Sequence, residues 1–122
     1  MPKKILIVDD EDNVRELVRI TLEDEGYELH ETDNGDDAVA MAREIKPDLM
    51  VLDVMMPDKT GYEVCEELKN DPETSDIYVL FLSARGSSIS EKTGKVKGGN
   101  EFMTKPFEPP ELREKVKKAL GI

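Results

Sequence analysis

The stretch Met50-Val51-Leu52-Asp53-Val54-Met55-Met56-Pro57 decides the fold of this chain. Its apolar first half is typical of a buried strand in a parallel sheet, and the aspartate and proline that follow end regular structure. Asp53 is therefore predicted at the C-terminal edge of a strand, where open α/β sheets bind their ligands. On position alone, Asp53 is either part of a reaction site or an acid that caps the turn after the strand.

Along the rest of the chain, strand-like apolar runs alternate with segments whose apolar residues recur at helical spacing. Strand-like runs cover 5–8, 27–32, 50–53, 77–82 and 101–104, and helical spacing covers 14–22, 38–45, 64–68 and 109–120. A further helix over 86–99 has the weakest pattern, because Gly94 would lie inside it at a cost of about 1 kcal/mol relative to alanine. Five strands alternating with five helices predict one α/β domain over 1–122, a doubly wound five-stranded parallel sheet with helices on both faces.

The composition limits the classes of partner. The 122 residues include 28 acids against 17 lysines and arginines, a formal net charge of -11. Such a surface repels phosphate backbones and anionic lipids, so we expect no binding to nucleic acid or membrane, although divalent cations are attracted. The single cysteine, Cys65, is predicted to lie in the core. With no apolar leader or spanning segment in the sequence, a soluble, cytoplasmic protein is expected.

Polar side chains follow four of the predicted strands at their C-terminal ends. They are Asp9 and Asp10, Asp53, Ser83 and Lys105. Because parallel strands open onto one edge, we expect these side chains to converge. Three carboxylates held close together require a cation such as Mg²⁺, which prefers oxygen ligands. A metal, an ammonium group, a hydroxyl and a carboxylate nucleophile together are suited to binding and accepting a phosphoryl group.

These residues also carry a family resemblance. The motifs are Ile5-Leu6-Ile7-Val8-Asp9-Asp10, Asp53 followed by Pro57 and Gly61, Ser83-Ala84, and Lys105-Pro106-Phe107. In combination they resemble the receiver domain of two-component response regulators, including the stand-alone chemotaxis type, over essentially the whole chain. The resemblance implies a flavodoxin-like fold with strand order 2-1-3-4-5.

The resemblance also implies roles for individual residues. Asp53 would accept a phosphoryl group from the phosphohistidine of a sensor histidine kinase or a phosphotransfer protein. Ser83 and Lys105 would contact the phosphoryl oxygens. The implied ligands of Mg²⁺, or of Mn²⁺ in its place, are Asp9, Asp10, Asp53 and the backbone carbonyl of Met55.

The resemblance implies a readout through protein contacts. Ser83 and Phe102 would form the switch, with the aromatic ring moving inward and changing the face made by the fourth helix, fifth strand and fifth helix. Taken in isolation, Phe102 is better explained as a plain core residue. A downstream protein target, and a phosphorylation-dependent dimer as one option, would read this face. The Lys105-Pro106 bond resembles the cis peptide bond of the family.

The chain departs from the family pattern at several positions. Thr60 replaces an aspartate common before Gly61. Gly98-Gly99 stands where Gly-Ala is usual, and this change should loosen the face made by the fourth helix, fifth strand and fifth helix. Met55 and Arg85 occupy the positions that set the lifetime of the phosphoryl group. Because an apolar Met55 cannot orient an attacking water, slow autodephosphorylation is expected.

Two classes of function remain open at this point. The first is a phosphorylation switch that performs its own phosphotransfer and is no enzyme toward external substrates. The second is a docking module that retains the fold alone, or a receiver cut from a longer regulator or hybrid kinase. A phosphatase of the haloacid dehalogenase kind would require an acid where Met55 stands. As no output domain or basic segment follows Ile122, signalling is expected to pass through protein contacts.

Overall fold

The computed structural model describes residues 2–84 and 99–122, which form a parallel sheet of five strands between two layers of helices. The strands are β1 Lys4–Val8, β2 Glu28–Thr32, β3 Leu49–Asp53, β4 Tyr78–Ala84 and β5 Glu101–Lys105. The α-helices within these residues are α1 Asp12–Leu22, α2 Gly35–Ile45, α3 Gly61–Lys69 and α4 Pro109–Leu120. The strand order is β2-β1-β3-β4-β5. The predicted doubly wound, flavodoxin-like architecture is therefore confirmed.

The sheet separates two apolar cores, because successive side chains of a strand point to opposite faces. On one face Leu6 and Val8 of β1 pack with α2 and α3, and the buried Cys65 belongs to this core, as predicted. On the other face Ile5 and Ile7 pack with α1 and α4. Every residue of β3 is buried, as a central strand covered on both sides requires.

The boundaries differ from the sequence prediction in a few places. β4 continues to Ala84, so Ser83 lies within the strand instead of just after its end. α1 ends at Leu22 and passes through a 3₁₀ turn, Glu23–Glu25, before Gly26 reverses the chain with φ of 81°. The predicted helix over 86–99 lies outside the described residues except for its last position. In the described part of the chain, no helix is long and apolar enough to cross a membrane.

Candidate functional site

Asp9 and Asp10 begin the acidic loop that follows β1. The Asp9 amide continues the pairing with β2 by donating to the carbonyl oxygen of Thr32 at 3.3 Å. The carboxylate of Asp9 turns back into the loop, where its Oδ1 accepts from the amide of Glu11 at 2.9 Å. Asp9 is only 1% exposed, whereas Asp10 is exposed to solvent. One acid of the pair is thus buried in the site and the other lies at its opening.

Asp53 is the last residue of β3 and is held by a tightly packed loop. The amide of Val54 donates to the carbonyl of Leu82 at 3.0 Å, which continues the sheet for one residue. The Met55 amide lies 3.4 Å from Asp53 Oδ1. Gly61 passes so close that a Cβ atom there would lie 2.3 Å from the Asp53 carbonyl oxygen. The backbone of Gly61 therefore packs against the Asp53 carbonyl and restricts the position of Asp53.

Lys105 brings a positive charge from the end of β5, next to the cis peptide bond to Pro106. Its Nζ lies 2.8 Å from Asp9 Oδ2 and 3.1 Å from Asp53 Oδ1. A third carboxylate, that of Glu11, lies 3.4 Å from the same nitrogen. The lysine side chain is only 16% exposed. The ammonium group therefore bridges acids from two different strand ends.

Burial and charge shift the pKa values of these groups. Burial, with the charge of Asp9 second, raises the pKa of Asp53 to about 6, even though Lys105 opposes the change. Burial also raises the pKa of Asp9, with Lys105 and the Glu11 amide acting against it. For Lys105, burial lowers the pKa, but the Asp9 and Asp53 carboxylates outweigh it and raise the value to about 12. At neutral pH the site thus holds a charged lysine and carboxylates that repel one another.

The carboxylates of Asp9, Asp10 and Asp53 are placed to share a cation. One oxygen from each lies within 4.8 Å of the other two. The donors are all carboxylate oxygens, which suits a hard divalent ion better than a thiophilic metal. Repulsion from Asp9, which adds to burial in raising the pKa of Asp53, would be relieved by such an ion. The residues present therefore fit a divalent cation of the Mg²⁺ type.

The other predicted site residues are placed around this cluster. Ser83 is buried in β4, one position beyond the residue paired with Asp53, and faces Thr104 of β5 in the register. Met55 is 67% exposed beside Asp53. Phe102 is half-buried and stacks on Phe81, with ring centroids 5.0 Å apart. Arg85, the second predicted determinant of lifetime, lies outside the described residues.

Two features next to the cluster were not predicted from the sequence. Arg15 of α1 donates from Nη1 to the Asp9 carbonyl oxygen at 2.6 Å. A cleft is lined by residues that come from three separate loops, namely Asp10, Asp33, Asn34, Pro57 and Asp58. An arginine one turn into a helix that follows an acidic loop is a weak signal, because the contact depends on how the loop turns. The cleft arises only when the loops after β1, β2 and β3 meet.

Comparison with known proteins agrees with this geometry. The family model of the response regulator receiver domain matches residues 5–117. The phosphate regulon transcriptional regulatory protein PhoB of Pseudomonas aeruginosa is 42% identical over 118 residues, 97% of this chain and 52% of that protein. The chain therefore spans about half the length of this curated relative.

Solved structures extend the likeness to three dimensions. The Vibrio cholerae chemotaxis protein CheY4 matches with a TM-score of 0.91 at 30% identity, covering 98% of this chain and 99% of that one. The BeF3-activated DrrB receiver domain matches with a TM-score of 0.90 at 31% identity, covering 100% of both chains. With a family model over almost its whole length and relatives at this identity, the chain belongs to the response regulator receiver domain family of two-component signalling.

Proposed function

We propose that this receiver domain is a phosphorylation-driven switch in which Asp53 is the phosphoryl acceptor. The observation that carries the proposal is the convergence of Asp9, Asp10, Asp53 and Lys105 at one edge of the sheet. Asp53 is the buried carboxylate at the centre of this group, and with a pKa of about 6 it is mostly ionised at neutral pH. An ionised carboxylate is the form that acts as a nucleophile.

The proposed reaction transfers a phosphoryl group from a phosphohistidine of a histidine kinase or phosphotransfer protein. An oxygen of Asp53 forms the new bond to phosphorus while the phosphorus–nitrogen bond breaks, and its electron pair stays on the imidazole. Lys105 carries a positive charge that can pair with the phosphoryl oxygens. The hydroxyl of the buried Ser83 can donate to one of them. The product is an aspartyl phosphate on the chain itself, so no external substrate is turned over.

In this proposal Asp9, Asp10, Asp53 and the Met55 carbonyl hold Mg²⁺, and Mn²⁺ can replace it. The ion supplies positive charge that offsets the carboxylates and the phosphoryl oxygens. The proximity of three carboxylates, and the burial of two of them, supports this assignment. The neighbouring cleft at Asp10 leaves one side of the cluster open to a donor.

The readout is proposed to involve Ser83, Phe102 and the face that includes β5 and α4. Phe102 is half-buried and stacks on Phe81, so it lies at the boundary between the core and the surface. Its partners are proposed to be proteins, because the net charge of -11 disfavours nucleic acid. A phosphoryl group adds nearly two negative charges and can bias such a two-state element.

The test is the intact mass of the chain after incubation with Mg²⁺ and a small phosphodonor. We expect a gain of one phosphoryl group that requires Mg²⁺ and is lost in Asp53→Asn. Asp76→Asn is the matched control, since Asp76 is an exposed acid just before β4, at the opposite end of the strands from the acidic loops, and should not be needed. No gain in the parent, or an undiminished gain in Asp53→Asn, would contradict the proposal and favour a docking module.

A further inference from the structure

Arg15 connects the acidic loop to the neighbouring strand. Its side chain is only 14% exposed, and its guanidinium contacts three residues. Nη1 donates to the carbonyl oxygen of Asp9 at 2.6 Å, and Nε donates to Glu31 Oε1 at 3.1 Å. Nη2 also pairs with Asp12 at the start of α1. The planar guanidinium thus links the loop, the helix and β2.

The anchor of this link is part of the sheet. Glu31 lies in β2 and is paired in register with Ile7 of β1, two residues before Asp9. The regular pairing of β1 ends at Val8, and the Asp9 amide makes a last, longer hydrogen bond to β2. Arg15 therefore holds the chain at the point where the strand stops constraining it.

The carbonyl that Arg15 binds belongs to the peptide group that joins Asp9 to Asp10. Because a peptide group is planar, fixing its oxygen fixes the plane between the two Cα atoms. The directions in which the Asp9 and Asp10 side chains leave the backbone are then constrained together. Without this hold, repulsion among the three carboxylates would favour rotations that turn the exposed Asp10 away from the cluster.

We propose that Arg15 is a positioning residue for the cation site. By binding the Asp9 carbonyl at one end and Glu31 at the other, it orients the Asp9 and Asp10 carboxylates before a divalent cation arrives. The inference rests on the proposed function, because it assigns a role to Arg15 at that same site. Groups that orient the ligands of a metal in this way commonly contribute about tenfold to a hundredfold in affinity.

Arg19 offers a matched control on the same helix. It lies one turn after Arg15, and its Nε lies 3.3 Å from Glu31 Oε2. In the described part of the chain it also contacts Glu23 but makes no hydrogen bond to Asp9. Removing Arg19 therefore removes a positive charge and a contact with Glu31 while leaving the Asp9 carbonyl held. The two arginines separate positioning from general charge.

The experiment measures Mg²⁺ affinity by calorimetric titration of the parent, Arg15→Met, Arg19→Met and Arg15→Lys. We expect Arg15→Met to weaken binding by about tenfold or more, and Arg19→Met to change it by no more than about twofold. Arg15→Lys should be intermediate, because an ammonium group can donate to the carbonyl but cannot reproduce the two-ended guanidinium contact. Thermal unfolding of each variant shows whether it is folded.

A second readout uses the chain without metal, in the presence of a chelator. The Glu11 amide donates to Asp9 Oδ1, so its hydrogen exchange reports how well the loop is held. We expect faster exchange of this amide in Arg15→Met than in the parent, and no such change in Arg19→Met. A role confined to packing of α1 would not single out this loop amide.

The outcomes separate the inference from the proposed function. Unchanged Mg²⁺ affinity in Arg15→Met, equal weakening in Arg19→Met, or full affinity in Arg15→Lys would each overturn the positioning role. If Arg15→Met does not fold, Arg15→Lys and the exchange of the Glu11 amide decide the question. A parent that binds Mg²⁺ and is phosphorylated while Arg15→Met binds equally well overturns this inference alone. A parent that binds no divalent cation overturns the proposed function as well.

Discussion

Asp53 is a buried carboxylate whose surroundings disfavour its ionised form. It is 3% exposed, and its pKa is raised to about 6 by burial and by Asp9. In the unfolded chain the ordinary pKa is 3.8, so the folded chain holds the proton more tightly. The stability that this group contributes is complete below pH 3.8 and is lost as pH rises through about 6. Without a metal, the buried and ionised Asp53 therefore destabilises the folded chain at neutral pH, where the site would operate.

Replacing Asp53 with asparagine should relieve this strain in the absence of divalent cations. We expect Asp53→Asn to increase the free energy of unfolding at pH 8 by roughly 1–3 kcal/mol, because a buried charge is removed. Near pH 4 the gain should vanish, since the parent carboxyl is then protonated in the folded chain. Urea unfolding with a chelator, at both pH values, measures the difference.

Asp71 provides the control with the opposite sign. The Glu73 amide, and then Arg43, lower the pKa of Asp71, so its stabilising contribution is present above its ordinary pKa and lost on acidification. Asp71→Asn should therefore destabilise the chain at pH 8 and not stabilise it. A destabilised Asp53→Asn at pH 8 would show that the ion pairs with Lys105 outweigh burial.

Met55 should lengthen the life of an aspartyl phosphate. Its side chain is 67% exposed beside Asp53, and it has no polar group with which to orient an attacking water. We expect Met55→Asn to lose the phosphoryl group about tenfold faster than the parent, because the amide can position a water. The decay of the phosphorylated mass over time gives the rate.

A conservative variant tests the explanation for Met55. Met55→Leu retains an apolar side chain at the same exposed position and should decay at the rate of the parent. Equal rates for all three chains would mean that water access is controlled elsewhere, with Arg85 the other position to examine.

At the scale of elements, the connection from β3 to α3 is built to hold Asp53. Thr60 caps α3 by accepting from the Glu63 amide at 3.2 Å, and Glu63 Oε1 accepts from the Thr60 amide at 3.1 Å. Thr60 thus satisfies the helix terminus without the aspartate common in the family. Gly61 donates to the Val54 carbonyl at 2.8 Å, which closes the loop.

Gly61→Ala should disturb both the fold and the site. The new Cβ would lie 2.3 Å from the Asp53 carbonyl oxygen, so backbone must move. We expect a loss of about 2–4 kcal/mol in the free energy of unfolding, as for other overpacked sites. Mg²⁺ affinity should fall as well, because the shifted backbone carries Asp53. Urea unfolding and calorimetric titration measure the two effects.

Gly26→Ala separates steric clash from backbone strain. Gly26 has φ of 81°, and a Cβ atom added there would have no neighbouring atom within 4 Å, so alanine is strained but not crowded. The substitution should cost about 1 kcal/mol and leave Mg²⁺ affinity unchanged. A Gly61→Ala variant that behaves no differently would contradict the steric explanation.

At the scale of the whole molecule, β4 and β5 connect the acidic edge to the aromatic cluster. Ser83 is paired with Thr104, and two residues earlier Phe81 is paired with Phe102. Phe81 also meets Tyr62 edge to face, with ring centroids 5.3 Å apart. A displacement at Ser83 therefore has a short, packed route to Phe102 through adjacent strands.

Phosphorylation should change the surroundings of Phe102 through Ser83. We expect the ring signals of Phe102 to shift in NMR spectra when the parent is phosphorylated in the presence of Mg²⁺. In Ser83→Ala the chain should still gain a phosphoryl group, but the shift of Phe102 should fall by about fivefold or more, as the coupling is lost.

Tyr27 serves as the internal control for this experiment. It directly precedes β2, at the end of the strands opposite the acidic loops, and three strands separate β2 from β5. Its signals should stay nearly constant in both chains. An equal shift of Phe102 in the parent and in Ser83→Ala would place the coupling outside Ser83.

The sequence by itself determined the architecture and the chemical groups of the site. Apolar runs and helical stripes predicted the parallel sheet, because burial on both faces leaves a pattern in each strand. The rule that parallel strands open onto one edge is sufficient to predict that Asp9, Asp10, Asp53 and Lys105 lie together. Each of these inferences depends on local patterns and on one topological rule.

Only the tertiary structure decided how these groups are held. Lys105 bridges Asp9 and Asp53, Gly61 packs against the Asp53 carbonyl, and Arg15 binds the Asp9 carbonyl. Each of these contacts depends on how the loops at the strand ends fold in three dimensions. A raised pKa likewise depends on burial and neighbouring charge in three dimensions. Residue type and spacing specify which groups reach one edge of the sheet, whereas packing alone sets their separations and therefore their energies.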